Sequence, residues 1–323
     1  MRQTVLYRTL LVAAWLGSAF AVLQSTVVQA APDGSRWGAN YFPNFPVVTQ
    51  HGETLRFYDD LIKDKMVVIN FIYTRCPDIC PLSTARLAEV QKRLGDRVGR
   101  DVFFYSISLD PKNDTPDVLK AYAEAFDARP GWLFVTGDAK DLHTIRYKLG
   151  ERSRSLSEHR SFIVLANDAT GEWSRNSLMA NLDRLASDVR KLDPKWRNRK
   201  RALPKERFKK RPRSRYILSK QPGEALFLKA CAACHSIGKG DRVGPDLMDV
   251  TQRRERDWLV RFMMRPDRMR AQKDPISVAL DKKYKGVRMP NLGLSENDAA
   301  DLIAYFEHRT KAVKKQRSAS VDN

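Results

Sequence analysis

Four cysteines and five histidines are the residues of this 323-residue chain best suited to chemistry, and the cysteines fall into two pairs. The first pair sits in Thr74-Arg75-Cys76-Pro77-Asp78-Ile79-Cys80-Pro81. Three intervening residues bring both sulfurs within reach of one metal ion, as i and i+4, and still permit a disulfide. The spacing is one residue longer than the C-x-x-C of common redox pairs. The second pair is Cys231-Ala232-Ala233-Cys234-His235, a C-x-x-C-H run, which is the attachment signature of a c-type haem. Two thiols about one helical turn apart can each form a thioether with one haem vinyl group. His235 is then held beneath the iron as proximal ligand. The plain alternatives are a structural disulfide for the first pair, and a disulfide or an incomplete zinc pair for the second. The sequence shows no paired-carboxylate site, Ser-His-Asp arrangement or phosphate-binding loop that would support a hydrolase or kinase.

Each pair needs elements to hold it. MVVINFIY (66–73) reads as a buried strand, so Cys76 and Cys80 lie at its carboxyl end and open a helix spanning Leu82 to Leu94. Helix N-termini stabilise negative charge, which favours thiolates there. The alternation continues with strands at 101–109, 132–135 and 161–166 and helices at 116–126, 140–149 and 178–192. Strands alternating with helices predict an α/β domain with a central sheet over residues 36–194. Soft thiolates select Cu(I), and an added imidazole also accommodates Cu(II). His159 stands just before the strand SFIVLA, where a loop edge could present it to the cysteines, although a solvated loop histidine is the ordinary reading. His51 and His143 read as structural.

The second pair lies in a smaller region, 216–312, whose patterns are helical. The sixth iron ligand must come from Met248, Met263, Met264, Met269, Met289 or His308. Met263, Met264 and Met269 fall in or near a helix from Trp258 to Met264, where filling a core is the more ordinary role. Met289 lies in a loop, Gly286-Val287-Arg288-Met289-Pro290, ahead of a helix opened by Ser295 with Asp298 three residues on, a capping-box analogue.

Charge marks the joint. The chain carries a formal net charge of +20, yet residues 9–194 hold equal numbers of basic and acidic residues. Lys195 to Arg215 holds 12 basic residues and the single acid Glu206, with Pro204 and Pro212 and little apolar content. Such a stretch repels itself and reads as a linker, 195–215. Residues 313–323 read as a disordered basic tail. At the other end, Arg2 and Arg8 flank a positive segment that precedes the apolar run Leu10–Leu23 and a small-residue pattern ending at Ala30. That is the layout of a secretory signal peptide over 1–30, or of an uncleaved anchor. It places both domains in the periplasm or on the outer side of a membrane, where nucleic acid is absent. The basic excess then suits solubility and separation, or attraction to anionic lipid or an acidic protein patch.

The stretch Phe71-Ile72-Tyr73-Thr74-Arg75-Cys76-Pro77-Asp78-Ile79-Cys80-Pro81 resembles the signature of the SCO/SenC family of thioredoxin-fold copper proteins. Ser108-Leu109-Asp110-Pro111, with Asp114-Thr115-Pro116, resembles its second motif, and His159 falls where its third copper ligand is expected. The family usually places Asp before that histidine, whereas this chain has Glu158. The resemblance implies a thioredoxin-like domain with copper held by Cys76, Cys80 and His159, and delivery of copper to, or thiol reduction at, a copper site of cytochrome c oxidase. The second region resembles class I cytochromes c: Gly244-Pro245-Asp246-Leu247 is similar to the haem-edge loop and Asp301–Phe306 to the final helix. That implies a small all-α domain of three or so helices, with one covalent haem c on Cys231 and Cys234 and iron held by His235 and Met289. A Met axial ligand suits electron transfer.

Two functions follow as expectations. One is a copper metallochaperone for cytochrome c oxidase with a c-type haem electron-transfer domain. The other is a thiol–disulfide oxidoreductase cycling Cys76 and Cys80, with the haem domain or another redox carrier as electron partner. The absence of C-x-x-C spacing and the presence of His159 favour the first.

Overall fold

A computed structural model describes residues 37–202, 221–284 and 286–321. The segment 1–30 expected to be a signal peptide or anchor, and residues 203–215 of the expected basic linker, lie outside them. Among the described residues no helix is long and apolar enough to cross a membrane.

The first region is built on the apolar run predicted as a buried strand. Residues Met66–Ile72 form β3, and every residue from Val67 onward is buried, because both faces are covered. The strands are β1 (Pro46–Thr49), β2 (Thr54–Arg56), β3, β4 (Val102–Ser108), β5 (Trp132–Thr136), β6 (Phe162–Asn167) and β7 (Glu172–Ser177), in the sheet order β2-β1-β5-β4-β3-β6-β7. Strands β3, β4 and β5 run parallel, while β6 pairs antiparallel with β3 and β7 antiparallel with β6. Helices α1 (Ile79–Leu94), α2 (Pro116–Ala125) and α4 (Leu182–Lys191) cover one face, with Leu87, Val90, Leu119, Leu185 and Val189 in its core. Helix α3 (Ala139–Leu149) and the aromatic residues Phe42, Phe57 and Tyr58 cover the other. This is a thioredoxin-like α/β domain, as expected.

Three strands escaped the pattern reading. Strand β7, EWSRNS, is polar because it is an edge strand with little to bury. The helix expected from Leu178 starts only at Leu182, where the Asn181 side chain accepts from the Asp183 and Arg184 amides.

The linker expected from Lys195 starts later. Helix α5 (Pro194–Ala202) occupies its first residues; the Asp193 side chain accepts from the Lys195 amide, and Arg197 pairs with Glu172 at 2.6 Å. Local capping and an ion pair to β7 offset the self-repulsion there.

The second region is helical throughout: α6 (Glu224–Leu226) running on into a π-helical turn Phe227–Cys231, α7 (Val250–Arg253), α8 (Arg256–Met264), α9 (Pro266–Ala271), α10 (Pro275–Lys283) and α11 (Glu296–Val321). Its core gathers Phe227, Ile237, Trp258, Leu259, Leu302 and Phe306. The Ser295 and Asp298 side chains cap α11 reciprocally, as their spacing suggested. The disorder expected from residue 313 is corrected. Helix α11 continues to Val321, because Val313 is buried and Arg317 donates to the Gly238 carbonyl at 2.6 Å.

Candidate metal and haem sites

The buried strand β3 ends at Ile72, and the chain then turns through Cys76 into α1. Cys80 lies in the first turn, fully buried, and its amide donates to the Cys76 sulfur at 3.5 Å. His159, just ahead of β6, brings its Nε2 to 3.3 Å from the Cys80 sulfur. Three residues from distant parts of the sequence thus converge. Among the described residues no three His, Cys, Asp or Glu side chains form a ready-made metal enclosure. The Cys80 and His159 side chains instead touch directly.

The loop is braced from below by the second motif. Asp114 is fully buried and accepts from the Thr74 amide at 3.1 Å, the Thr74 hydroxyl at 2.6 Å and the Ser108 hydroxyl at 2.6 Å. Burial raises its carboxyl pKa, and the Ser108 and Thr74 hydrogen bonds oppose that rise. Arg75 pairs with Asp110 at 3.2 Å on the outside of the same turn. The motif Ser108–Asp110 and Asp114 therefore acts on the cysteine loop through its backbone and Thr74.

The two thiols are unequal. The Cys80 hydrogen bond, against a desolvation cost, pushes the Cys76 thiol down to about 5, with help from the Cys80 and Asp78 amides and the Tyr73 hydroxyl. Burial, then the neighbouring Cys76, pushes Cys80 well up. The pair therefore carries one negative charge near neutral pH, placed at a helix N-terminus.

Sequence reasoning missed Glu151 and Tyr73. The Glu151 side chain is buried, and its Oε2 lies 3.7 Å from His159 Nδ1, the nitrogen facing away from Cys80. That is an ion-pair separation rather than a hydrogen bond, and among the described residues neither atom has a hydrogen-bond partner. Burial alone would raise the Glu151 carboxyl; the His159 imidazole and Ser153 outweigh it and hold the group at about 2. Glu158, the residue directly before the histidine, instead accepts from the Arg154 amide on the exposed side of the loop. Tyr73 sits edge-on to His159 with ring centroids 6.3 Å apart. The available signal for Glu151 was an acid opening an Arg/Ser-rich loop just after α3. The other histidines stay outside: His51 and His308 are exposed, and exposed His143 contacts Arg146.

The second pair occupies a different setting. Cys231, His235 and Met289 line an apolar cavity walled by Val250, Trp258, Leu259 and Phe306. A second hollow shares Cys231, His235 and Met289 and adds Cys234. His235 Nδ1 lies 2.9 Å from the Pro245 carbonyl, which accepts a hydrogen bond from Nδ1–H and leaves Nε2 as the basic nitrogen. Burial lowers the imidazole pKa, so the ring is neutral. Gly244 lies flat against the ring: a Cβ there would come within 2.7 Å of His235 Cε1. Burial pushes Cys231 and Cys234 up to about 12, so both are neutral thiols.

An apolar slot, a fixed neutral imidazole and two thiols on one wall fit a covalent haem. Among the sulfur candidates the structure brings Met289 to the slot, and Met263 of α8 as well. Met269 is buried in the helical core without lining the slot, and the Met248 sulfur lies beside Gly238.

The comparisons divide the chain in the same way. The SCO1/SenC family model matches residues 34–191, and the cytochrome c model matches residues 221–310. An SCO2-like protein of Rickettsia felis is 31% identical over 143 residues, covering 41% of this chain and 67% of that protein. An SCO1 protein homolog of Bacillus subtilis is 38% identical over 77 residues, 24% of this chain and 39% of that one. The structure of Bradyrhizobium japonicum ScoI with copper bound aligns at 26% identity and a TM-score of 0.39, covering 46% of this chain and 97% of that one. The chain belongs to the SCO1/SenC family and carries a cytochrome c domain behind its thioredoxin-like domain.

Proposed function

We propose that the chain is a copper metallochaperone for the assembly of cytochrome c oxidase, with its own c-type haem domain as electron partner. One observation carries this reading: His159 Nε2 meets the Cys80 sulfur at 3.3 Å, across a separation of 79 residues. A simple dithiol reductant needs no imidazole. Two soft thiolates and one nitrogen suit Cu(I) and tolerate Cu(II). Copper is cargo here, bound by Cys76, Cys80 and His159 and handed on, and family membership supports cytochrome c oxidase as the recipient. The haem supplies a one-electron couple, which matches copper better than it matches a two-electron dithiol. It would be carried by Cys231, Cys234 and His235, with Met289 as the sixth ligand. Haem attachment and an N-terminal secretory pattern both support a periplasmic or outer membrane-face location.

A second reading, thiol–disulfide exchange at Cys76 and Cys80, is favoured by the acidic Cys76 thiol, held down to about 5 chiefly by the Cys80 hydrogen bond.

Copper and haem analysis of protein matured in a periplasm tests the choice. Wild type should hold one copper and one haem per chain. His159→Ala should lose copper at least tenfold more readily to a chelator, and Cys76→Ser with Cys80→Ser should hold none. Equal copper retention in wild type and His159→Ala removes the imidazole from the site. A copper-free protein that reduces disulfides selects the second reading.

A further inference from the structure

Helix α1 does more than open with Cys80. Ile79, Leu82, Ala85, Arg86 and Glu89 recur at the three- and four-residue spacing of one helix face. Leu82 and Ala85, with Phe126 from the end of α2, form a buried cluster with Ala233 of the C-x-x-C-H run, and Cys234, Val243, Val287 and Leu292 pack against it. The Asn291 amide donates to the Pro77 carbonyl at 3.4 Å, and Arg242 pairs with Glu89 at 3.0 Å. Pro81 and Leu82, the two residues after Cys80, line the hollow that also contains Cys234, His235 and Met289. The thiol helix therefore supplies part of the wall of this second hollow, beside Cys234.

Arg86 makes this contact specific. It is 2% exposed and, among the described residues, has no carboxylate partner within ion-pair distance. Its Nε donates to the Leu178 carbonyl at 2.6 Å and one Nη to the Ala180 carbonyl at 2.5 Å, both within the first domain. The other Nη donates to the Lys229 carbonyl at 2.7 Å, two residues before Cys231. A buried guanidinium is tolerated only when its N–H groups are satisfied. Seating of the cytochrome domain thus completes the hydrogen bonding of a buried charge that its own domain satisfies only in part.

We propose that the cytochrome domain is docked on α1 in a fixed pose, with Arg86 as the positioning residue, so that the thiol site and the haem slot form one unit rather than two tethered bodies. The docking stands on these contacts alone. Its meaning, an electron partner held beside the copper cargo, rests on the reading given under Proposed function.

The test uses full-length holo-protein carrying a protease site between Ala202 and Gln221, cut after folding and run on gel filtration at micromolar concentration. The wild-type halves should co-elute. Arg86→Met should weaken their association at least tenfold and separate them. Arg242→Glu, a surface change that faces Glu89 with a second acid, should separate them more mildly and guards against misfolding of the Arg86 variant. Hydrogen exchange in the uncut chains should rise over residues 79–89 in both variants. Separation of the wild-type halves overturns the proposal, as does co-elution of both variants without change in exchange. Copper missing from co-eluting wild-type fractions counts against the copper reading and leaves the docking standing.

Discussion

The two cysteine pairs show one side chain put to opposite uses. Cys76 sits at a helix N-terminus among amide and hydroxyl donors and is pushed down to about 5. Cys231 and Cys234 sit among apolar side chains and are pushed up to about 12. The first environment holds charge and suits reversible metal binding. The second suppresses charge and suits permanent attachment. The supports differ too. A seven-stranded sheet and the buried Asp114 fix the first site with protein groups alone. The second is a set of helices around an apolar slot lined by Cys231, His235 and Met289. The difference teaches that reactivity in this chain is set by the donors around each sulfur, and order by what fills the space beside it.

With the haem bonded to Cys231 and Cys234 as proposed, the contrast breaks most visibly when those bonds are prevented. In a Cys231→Ala, Cys234→Ala chain the slot would have no covalent occupant, and the helices that pack around it would lose their common partner. The expected loss is most of the stability of that domain, about 5 kcal/mol or more for a body of this size. Hydrogen exchange should show protection gone over 224–321 and retained over 66–72 and 102–108. Native protection in both halves would mean that the helical domain is as self-sufficient as the sheet domain.

A smaller effect sharpens the same point in the sheet domain. Asp114→Ala removes the acceptor for the Thr74 amide, the Thr74 hydroxyl and the Ser108 hydroxyl together. Leaving buried donors unpaired should cost about 2–4 kcal/mol in denaturant unfolding. Asp114→Asn keeps a carbonyl oxygen for Thr74 and should cost about 1 kcal/mol. Copper retention should fall in the same order, since the carboxylate acts through the loop. If Asp114→Ala unfolds at the wild-type midpoint, the brace is not what holds Cys76 in place.

How much of this was legible beforehand differs between the domains. The strand MVVINFI and the residues after it declared the thiol site, because a fully buried parallel strand is written as an unbroken apolar run. His159 was a candidate from its place ahead of a strand and gained weight from the resemblance, since a histidine there carries no local sign of facing a cysteine 79 residues away. Glu151 was invisible for the same reason: its burial comes from tertiary packing, not from its neighbours in sequence. The edge strand β7 and helix α5 were lost to polar composition, which conceals elements whose stability comes from pairing or capping. Arg86 reads as an ordinary helix-surface residue; its burial comes from long-range partners, the Leu178 and Ala180 carbonyls of its own domain and the Lys229 carbonyl of the second.

The finest distinction between the two sites lies in the group behind each imidazole. His235 donates a hydrogen bond from Nδ1–H to a backbone carbonyl, which does not titrate, whereas His159 Nδ1 faces the Glu151 carboxylate. Around that carboxylate stand Ser153, whose amide donates at 2.8 Å, and Arg146 at 4.0 Å. The carboxyl is held at about 2 against an ordinary 4.5, so its folded-state pKa lies below the unfolded one. A group shifted in this direction contributes stability above the unfolded value and loses it as pH falls through the folded one. The ceiling is about 3 kcal/mol at roughly 1.36 kcal/mol per unit, and Glu151→Gln, which can keep the Ser153 hydrogen bond, should cost about 1 kcal/mol at neutral pH. That difference between wild type and variant should shrink between pH 4.5 and 2 and vanish below, read from urea midpoints across the range. A constant difference at every pH would show that the carboxylate acts by shape alone, and the contrast between a titrating and a non-titrating partner for the two imidazoles would disappear.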